Sequence, residues 1–129
     1  MSKRAAGGRN PSEAQVLLSD HLKELGFGAM SFEYQFCHNR KWKADIAATR
    51  LVTPTPPAVS YWEYFLFECD GGMFHGGHKR GEALEKDYER QNYAIAKGYK
   101  LFRFTNRQIL NGLAKKWLAE NLGQKGREG

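Results

Sequence analysis

The stretch from Tyr61 to Cys69 constrains the fold more than any other part of this sequence, because it is almost entirely aromatic and apolar. Such a run is typical of a central β-strand that is buried on both faces. It leads into FLFECDGGMFHGGH, where the apolar residues end at two acids, Glu68 and Asp70. A carboxylate at the end of a core strand is costly unless a partner pairs with it or a ligand binds it. The acids therefore need an explanation.

The segments before this strand predict one helix and two strands. Asn10 can cap a helix that carries an apolar stripe of Leu18, Leu22 and Leu25. FEYQFCH and WKADIAA follow, and the alternation in the first of them is that of a half-buried strand. The proline-rich loop TPTPPAVS then separates this pair from the central strand.

The segments after the central strand predict a helix, a strand and a last helix. Their expected inward-facing residues are Leu84, Tyr88, Ile95, Ile109, Leu113 and Trp117. Because a strand–helix–strand step implies a right-handed crossover, the α-β-β-β-α-β-α order predicts an α/β fold with a mixed central sheet flanked by helices. Tyr61, Trp62 and Tyr64 are interpreted as core residues rather than base-stacking groups.

Length, charge and cysteine content limit the class of protein. The 129 residues fit one domain at 10–122, with flexible tails at 1–9, which is basic, and at 123–129. Cys37 and Cys69 are too few for a disulfide framework, which favours a cytoplasmic location. The stretch MSKRAAGGRN lacks the apolar run expected of a signal peptide, and no segment is long or apolar enough to be expected to span a membrane. The net charge of +6 points to a polyanionic partner.

Three acids are expected to converge at one end of the sheet. Glu68 and Asp70 project from the same side of the central strand, and Asp45 interrupts the strand that pairs beside it in a simple hairpin. Carboxylates this close repel one another unless a cation is shared, and hard oxygen ligands suit Mg²⁺ or Mn²⁺. The alternative is that Asp45 caps a turn and Glu68 pairs with a lysine or arginine.

The order of elements and acids resembles the PD-(D/E)XK nuclease superfamily, with its αβββαβα restriction-endonuclease-like core. The closer resemblance is to very-short-patch-repair-endonuclease-like proteins with a D…E-x-D-G…H pattern. It spans most of the chain from Pro11 to Gln108. It is carried by Glu13, Asp45, ECDGGMFH, DYER, Gly98 and RFTN.

The resemblance implies a metal-dependent DNA endonuclease, which could be selective for a DNA structure in repair, recombination or branched-DNA processing. Asp45, Glu68, Asp70 and the backbone carbonyl of Cys69 would be metal ligands, and His75 would protonate the leaving oxygen or hold the scissile phosphate. Glu13 would reach the site through a metal-bound water; the other reading of Glu13 is a capping box with Asn10, and the two are compatible.

The position of Asp70 departs from the superfamily pattern, because lysine often stands there and helps to activate water. Three readings remain open. The metal acts alone; a cation enters from Lys43, Lys79 or Arg80; or Asp70 binds a second metal or acts as general base.

Several residues are candidates for supporting roles. Basic residues on the flanking elements could follow a nucleic-acid backbone or form a solvated face: Lys79, Arg80, Lys86, Arg90, Arg103 and Arg107. Gln91 could point toward the metal site or form a buried hydrogen bond, and His78 lies nearby in the sequence. A small nuclease of this kind could act as a homodimer or with a guiding partner protein. The competing function is a non-catalytic nucleic-acid-binding module.

Overall fold

The computed structural model describes residues 10–71 and 81–123. Within these ranges, no helix has the length and apolar character needed to cross a membrane. In chain order the elements are α1 (Glu13–Glu24), β1 (Gly28–Gln35), β2 (Lys43–Val52), β3 (Tyr61–Asp70), α2 (Glu82–Ala96), β4 (Tyr99–Thr105), α3 (Asn106–Leu110) and α4 (Leu113–Leu122).

The strands form one mixed sheet in the order β1-β2-β3-β4. β1 pairs with β2 and β2 with β3 in antiparallel fashion, whereas β3 and β4 are parallel and are connected through α2. This confirms the predicted α/β class, with a mixed sheet flanked by helices. It also makes β2 the neighbour of β3, as expected of a simple hairpin connection.

Helix α1 begins two residues later than the sequence suggested. Its N-cap is Ser12 and not Asn10. The Ser12 hydroxyl accepts a hydrogen bond from the Gln15 backbone N–H at 3.1 Å, and the Gln15 side chain accepts one from the Ser12 N–H at 2.9 Å. This reciprocal pair is a capping box, which satisfies two backbone donors that the start of a helix leaves free. Glu13 is exposed in the first turn.

The core lies on both faces of the second half of β3. On one face Phe65 and Phe67 pack with Leu18 and Leu22 of α1. On the other face Leu66 belongs to a smaller cluster that includes Phe36, Ala44 and Ala94. Burying apolar side chains on both sides is what stabilises a central strand.

The first half of β3 is not core, contrary to the prediction. Tyr61, Trp62 and Tyr64 are 52%, 55% and 51% exposed. The pairing of β3 with β4 starts only at Tyr64, opposite Tyr99. The residues before Tyr64 therefore extend past the neighbouring strand on that side.

The helices after β3 also differ from the periodicity-based prediction. On α2, the predicted inward residues Leu84, Tyr88 and Ile95 are exposed, and Ala94 is buried instead. The predicted last helix is two helices, because Gly112 has a φ of 89° between α3 and α4.

On these last two helices, the structure bears out only part of the predicted apolar side. Ile109 is fully buried, whereas Leu113 and Trp117 are 53% and 41% exposed. Trp117 nevertheless contacts the rings of Phe102 and Phe104 on β4.

Candidate functional site at the end of the central strand

Glu68 is the buried acid of the predicted site, and an arginine neutralises it. Its side chain lies near the end of β3 and accepts two hydrogen bonds from the Arg90 guanidinium on α2, at 2.6 and 2.9 Å. Paired hydrogen bonds of this kind are the strongest way for a side chain to hold a carboxylate. For Glu68, the structure therefore has the arginine partner that the sequence left open as an alternative.

Asp70 is held in a similar way from the neighbouring strand. Arg103 on β4 donates to Asp70 at 3.2 Å and to Asp87 at 3.0 Å. Asp87 also accepts from Arg90 at 3.0 Å. The five side chains form a continuous line in the order Glu68, Arg90, Asp87, Arg103 and Asp70, which we call the acid–arginine chain.

The charges of the acid–arginine chain nearly cancel. Burial acts to raise the pKa of Asp87, but the hydrogen bonds from Arg90 and Arg103 outweigh burial and lower it. Its three acids and two arginines together carry one net negative charge. These pairs explain how acids are tolerated at the end of a core strand without a bound cation.

Asp45 on β2 contacts the same end of β3 in a different way. It accepts hydrogen bonds from the Cys69 backbone N–H at 2.6 Å and from the Gln15 side chain at 2.9 Å. Burial is the main cause of a raised pKa at Asp45; nearby Glu68 and Glu33 add to it, and the two hydrogen bonds oppose it. Asp45 thus contacts Cys69, the residue between Glu68 and Asp70. Unlike those two acids, it accepts hydrogen bonds from neutral groups.

Gln15 is the site residue that the sequence analysis missed. Its side-chain nitrogen donates to Asp45 at 2.9 Å and to Glu33 at 3.2 Å, while its oxygen completes the capping box. The Ser12-x-x-Gln15 spacing of a capping box was the available signal. From helix α1 it is therefore Gln15, and not the exposed Glu13, whose side chain contacts Asp45.

The described residues do not hold three potential metal ligands together. Among 10–71 and 81–123, no group of three or more His, Cys, Asp or Glu residues has a geometry suited to a metal. The thiol of Cys69 is held in its protonated form. Burial is the main cause, the nearby charges of Asp45, Asp70 and Glu68 add to it, and together they raise the pKa of this thiol to about 12. Cysteine binds metal as the thiolate.

The basic residues predicted to contact nucleic acid divide into two groups. Arg90 and Arg103 are partly buried in the acid–arginine chain, whereas Lys86 and Arg107 are exposed on α2 and α3. Gln91 is half-buried on α2. The remaining predicted site residues lie outside the described part of the chain: His75, His78, Lys79 and Arg80.

Comparisons with protein-family models, with curated proteins and with solved structures find no match for this chain. Three features of the molecule bear on its function: the α/β topology, the contact between Asp45 and the end of β3, and the acid–arginine chain.

Proposed function

We propose that this protein is a metal-dependent DNA endonuclease with a restriction-endonuclease-like core of the PD-(D/E)XK kind. The observation that carries the proposal is the 2.6 Å hydrogen bond from the Cys69 backbone N–H to the Asp45 carboxylate. It joins the acid of β2 to the E-x-D segment at the end of β3, which is where the resemblance implies a catalytic centre. The parallel step from β3 through α2 to β4 also fits such a core.

The donor set suits a hard divalent ion, with Asp45 as its main ligand. Arginines neutralise Glu68 and Asp70, whereas the hydrogen bonds described for Asp45 come from neutral groups. Asp45, the backbone carbonyl of Cys69 and Glu68 would hold Mg²⁺ or Mn²⁺. When bound, such an ion lowers the pKa of water and neutralises charge that develops on a phosphodiester.

The other residues hold these groups in position. Arg90 fixes the Glu68 carboxylate through two hydrogen bonds, and Arg103 fixes Asp70. Lys86 is next to Asp87 on α2, and Arg107 follows Thr105, the β4 residue that pairs with Asp70. The exposed charges of both are available to DNA phosphates. A DNA substrate is also consistent with the net charge of +6.

A second function, a nucleic-acid-binding module without catalysis, is favoured by one observation. Glu68 is already paired with Arg90, and Asp70 with Arg103, so both acids are satisfied without a metal. A binding module would keep this pairing permanently. A nuclease would need Glu68 to exchange part of its hydrogen bonding with Arg90 for the ion.

A cleavage assay separates the two functions. We would incubate a panel of labelled DNA structures, from single strands to branched duplexes, with the protein and Mg²⁺, Mn²⁺ or EDTA. The nuclease predicts cleavage only with metal, lost in Asp45→Asn and kept in Asp20→Asn, which changes an exposed aspartate on α1. Binding in EDTA without cleavage in either metal would support the binding module instead.

Metal binding can also be measured without activity. A ligand that binds only the folded state stabilises it by about 2.7 kcal/mol at a hundredfold excess over its dissociation constant. Saturating Mn²⁺ should therefore raise the melting temperature of the wild-type protein and of Asp20→Asn, and raise it less in Asp45→Asn. Equal shifts in all three proteins would place the ion elsewhere.

A further inference from the structure

The two edges of the sheet differ in regularity. At the β1 edge the pairing register shifts between Gly28 and Ser31, and Ala29 and Glu33 have positive φ values of 49° and 53°. Such irregularities prevent another strand from pairing with an edge. β4 keeps an unbroken register with β3 from Tyr99 to Thr105 and contains neither proline nor glycine. Within the described residues β3 is its one strand neighbour, so its other edge is open.

Helix α2 presents an apolar row beside this open edge. Glu89 and Tyr93 lie on the side of α2 that faces the connection between β1 and β2, since they contact Arg40 and Trp42 in that connection. With 3.6 residues per turn, the exposed residues project from the opposite side, beyond β4: Leu84, Tyr88 and Ile95. Their helical spacing is that of a core-facing stripe, yet they are exposed in the single chain.

The opposite face of the sheet repeats this arrangement. Leu113 and Trp117 of α4 are exposed beside β4 and line an open cavity of about 590 Å³ together with Phe102 and Phe104. The open edge of β4 is therefore flanked by apolar side chains above and below the sheet. This combination is typical of a surface that a partner covers.

We propose that the partner is a second copy of this chain, joined through antiparallel pairing of the two β4 strands around a two-fold axis. The four strands of each chain would then form one continuous sheet of eight. This two-fold arrangement is self-complementary. It brings the α2 row of one chain toward the α2 row of the other, and it brings the exposed α4 side chains of the two chains toward each other.

Sheet geometry supports the contact between helices. Side chains of α2 bond to Glu68 on β3 and to Arg103 on β4, so α2 lies above both strands. With strands about 4.8 Å apart, the same helix in a two-fold partner would lie roughly 10 Å away across the joined edges. Packed helices are typically about 8–10 Å apart. The two rows of Leu84, Tyr88 and Ile95 would thus meet at packing distance.

The charges of β4 restrict how two copies can pair. In a symmetric antiparallel pair, one residue lies opposite its own copy. Centring the pair on Lys100 or Arg103 would oppose like charges directly, whereas centring it on Leu101 or Phe102 would not. The two acceptable registers also leave the apolar centre of the strand at the axis.

Sedimentation velocity tests the proposal over a range of protein concentrations, without reference to any nuclease activity. We expect a species of twice the 14.7 kDa chain mass. The double variant Tyr88→Glu/Ile95→Glu should raise the dimer dissociation constant at least tenfold, because it introduces charge between the helices. Leu51→Glu and Val59→Glu are matched controls, since both residues are exposed and apolar but lie away from β4; they should remain dimeric.

Oxidative crosslinking gives a second measurement if the double variant folds poorly. A cysteine at the axis should form a disulfide with its own copy, so Phe102→Cys or Leu101→Cys should crosslink and Lys100→Cys should not. A monomeric wild-type protein at high concentration would overturn the proposal. So would a dimer that the control substitutions disrupt as strongly as Tyr88→Glu/Ile95→Glu.

Discussion

Arg90 on α2 donates two hydrogen bonds to Glu68 on β3, and their side chains are only 16% and 8% exposed. Removing one partner of such a pair leaves the other charge buried, which typically costs about 3–5 kcal/mol. We therefore expect Arg90→Ala to lower the free energy of unfolding by this amount, measured by urea denaturation. An Arg90→Met/Glu68→Gln double variant should recover much of the loss.

Arg40→Ala is the matched control for this experiment. Arg40 pairs with Glu89 at a similar distance of 2.9 Å, but the side chains are 47% and 54% exposed. An exposed ion pair contributes no more than about 1 kcal/mol. If Arg90→Ala lowered the free energy of unfolding no more than Arg40→Ala does, the acid–arginine chain would not be what stabilises Glu68 in the core.

Asp45 should make stability depend on pH. Its pKa is raised in the folded protein, chiefly by burial, so folding favours the protonated carboxyl. This contribution is present below the pKa of the unfolded chain and is lost as the pH rises through the folded pKa. In EDTA, we expect Asp45→Asn to melt at a higher temperature than wild type near neutral pH, with this advantage lost as the pH falls below the pKa of an aspartate in the unfolded chain.

Thermal melts across this pH range measure the effect, with the exposed Asp20→Asn as control. Asparagine has a single acceptor oxygen, so it can keep the hydrogen bond from the Cys69 N–H, which preserves the contact with β3, but not also the one that Gln15 donates to Asp45. A difference in melting temperature between Asp45→Asn and wild type that stays constant over the pH range would contradict the assignment of burial as the dominant cause.

Lys86 and Arg107 should contribute to DNA affinity through phosphate contacts. Each contact releases counterions, so removing one should reduce the slope of log affinity against log salt by about 1. Fluorescence anisotropy with labelled DNA over a salt series measures the slope for Lys86→Ala and Arg107→Ala. Lys23→Ala, on the exposed side of α1, should leave it unchanged. If the salt dependence of DNA affinity were the same in wild type and in all three variants, neither Lys86 nor Arg107 would belong to the DNA-binding surface.

Gln15 should be sensitive to charge rather than to size. Gln15→Glu keeps the shape of the capping box but directs a third carboxylate at Asp45 and Glu33. We expect it to destabilise the protein at neutral pH more than Gln15→Ala, which loses the hydrogen bond from the Ser12 N–H and those to Asp45 and Glu33 but keeps the Ser12 side-chain cap on its backbone N–H. Denaturation at neutral and acidic pH would compare them. The stability of Gln15→Glu should recover in acid, where the carboxylates are protonated. A loss of stability that does not depend on pH would contradict repulsion among the carboxylates as its cause.

The sequence predicted the fold better than it predicted burial. The order of elements and the position of β3 followed from apolar patterns and turn residues, because these signals are local. Whether Tyr88 or Ile95 is covered depends on which strand or chain lies beside α2, and periodicity does not contain that information. The single residue Gly112, with its left-handed backbone, was enough to divide the last predicted helix.

The candidate site was predictable only in part, for the same reason. Alternation along β3 correctly put Glu68 and Asp70 on one side, where Arg90 and Arg103 hold them. The acid–arginine chain joins residues on three separate elements, so no local spacing could reveal it. Gln15 was missed because its contact with Asp45 spans 30 positions of sequence.

The double role of Gln15 makes the beginning of α1 a built-in spectroscopic reporter. Its side-chain oxygen accepts from the Ser12 backbone N–H while its nitrogen donates to Asp45, so one amide group connects the helix terminus to the carboxylate. Protonation of Asp45, or a cation bound beside it, would weaken the hydrogen bond from that amide and so alter the Ser12 hydrogen bond. The backbone NMR resonances of Ser12 and Gln15 would then record the occupancy of a site that lies on another element of the fold.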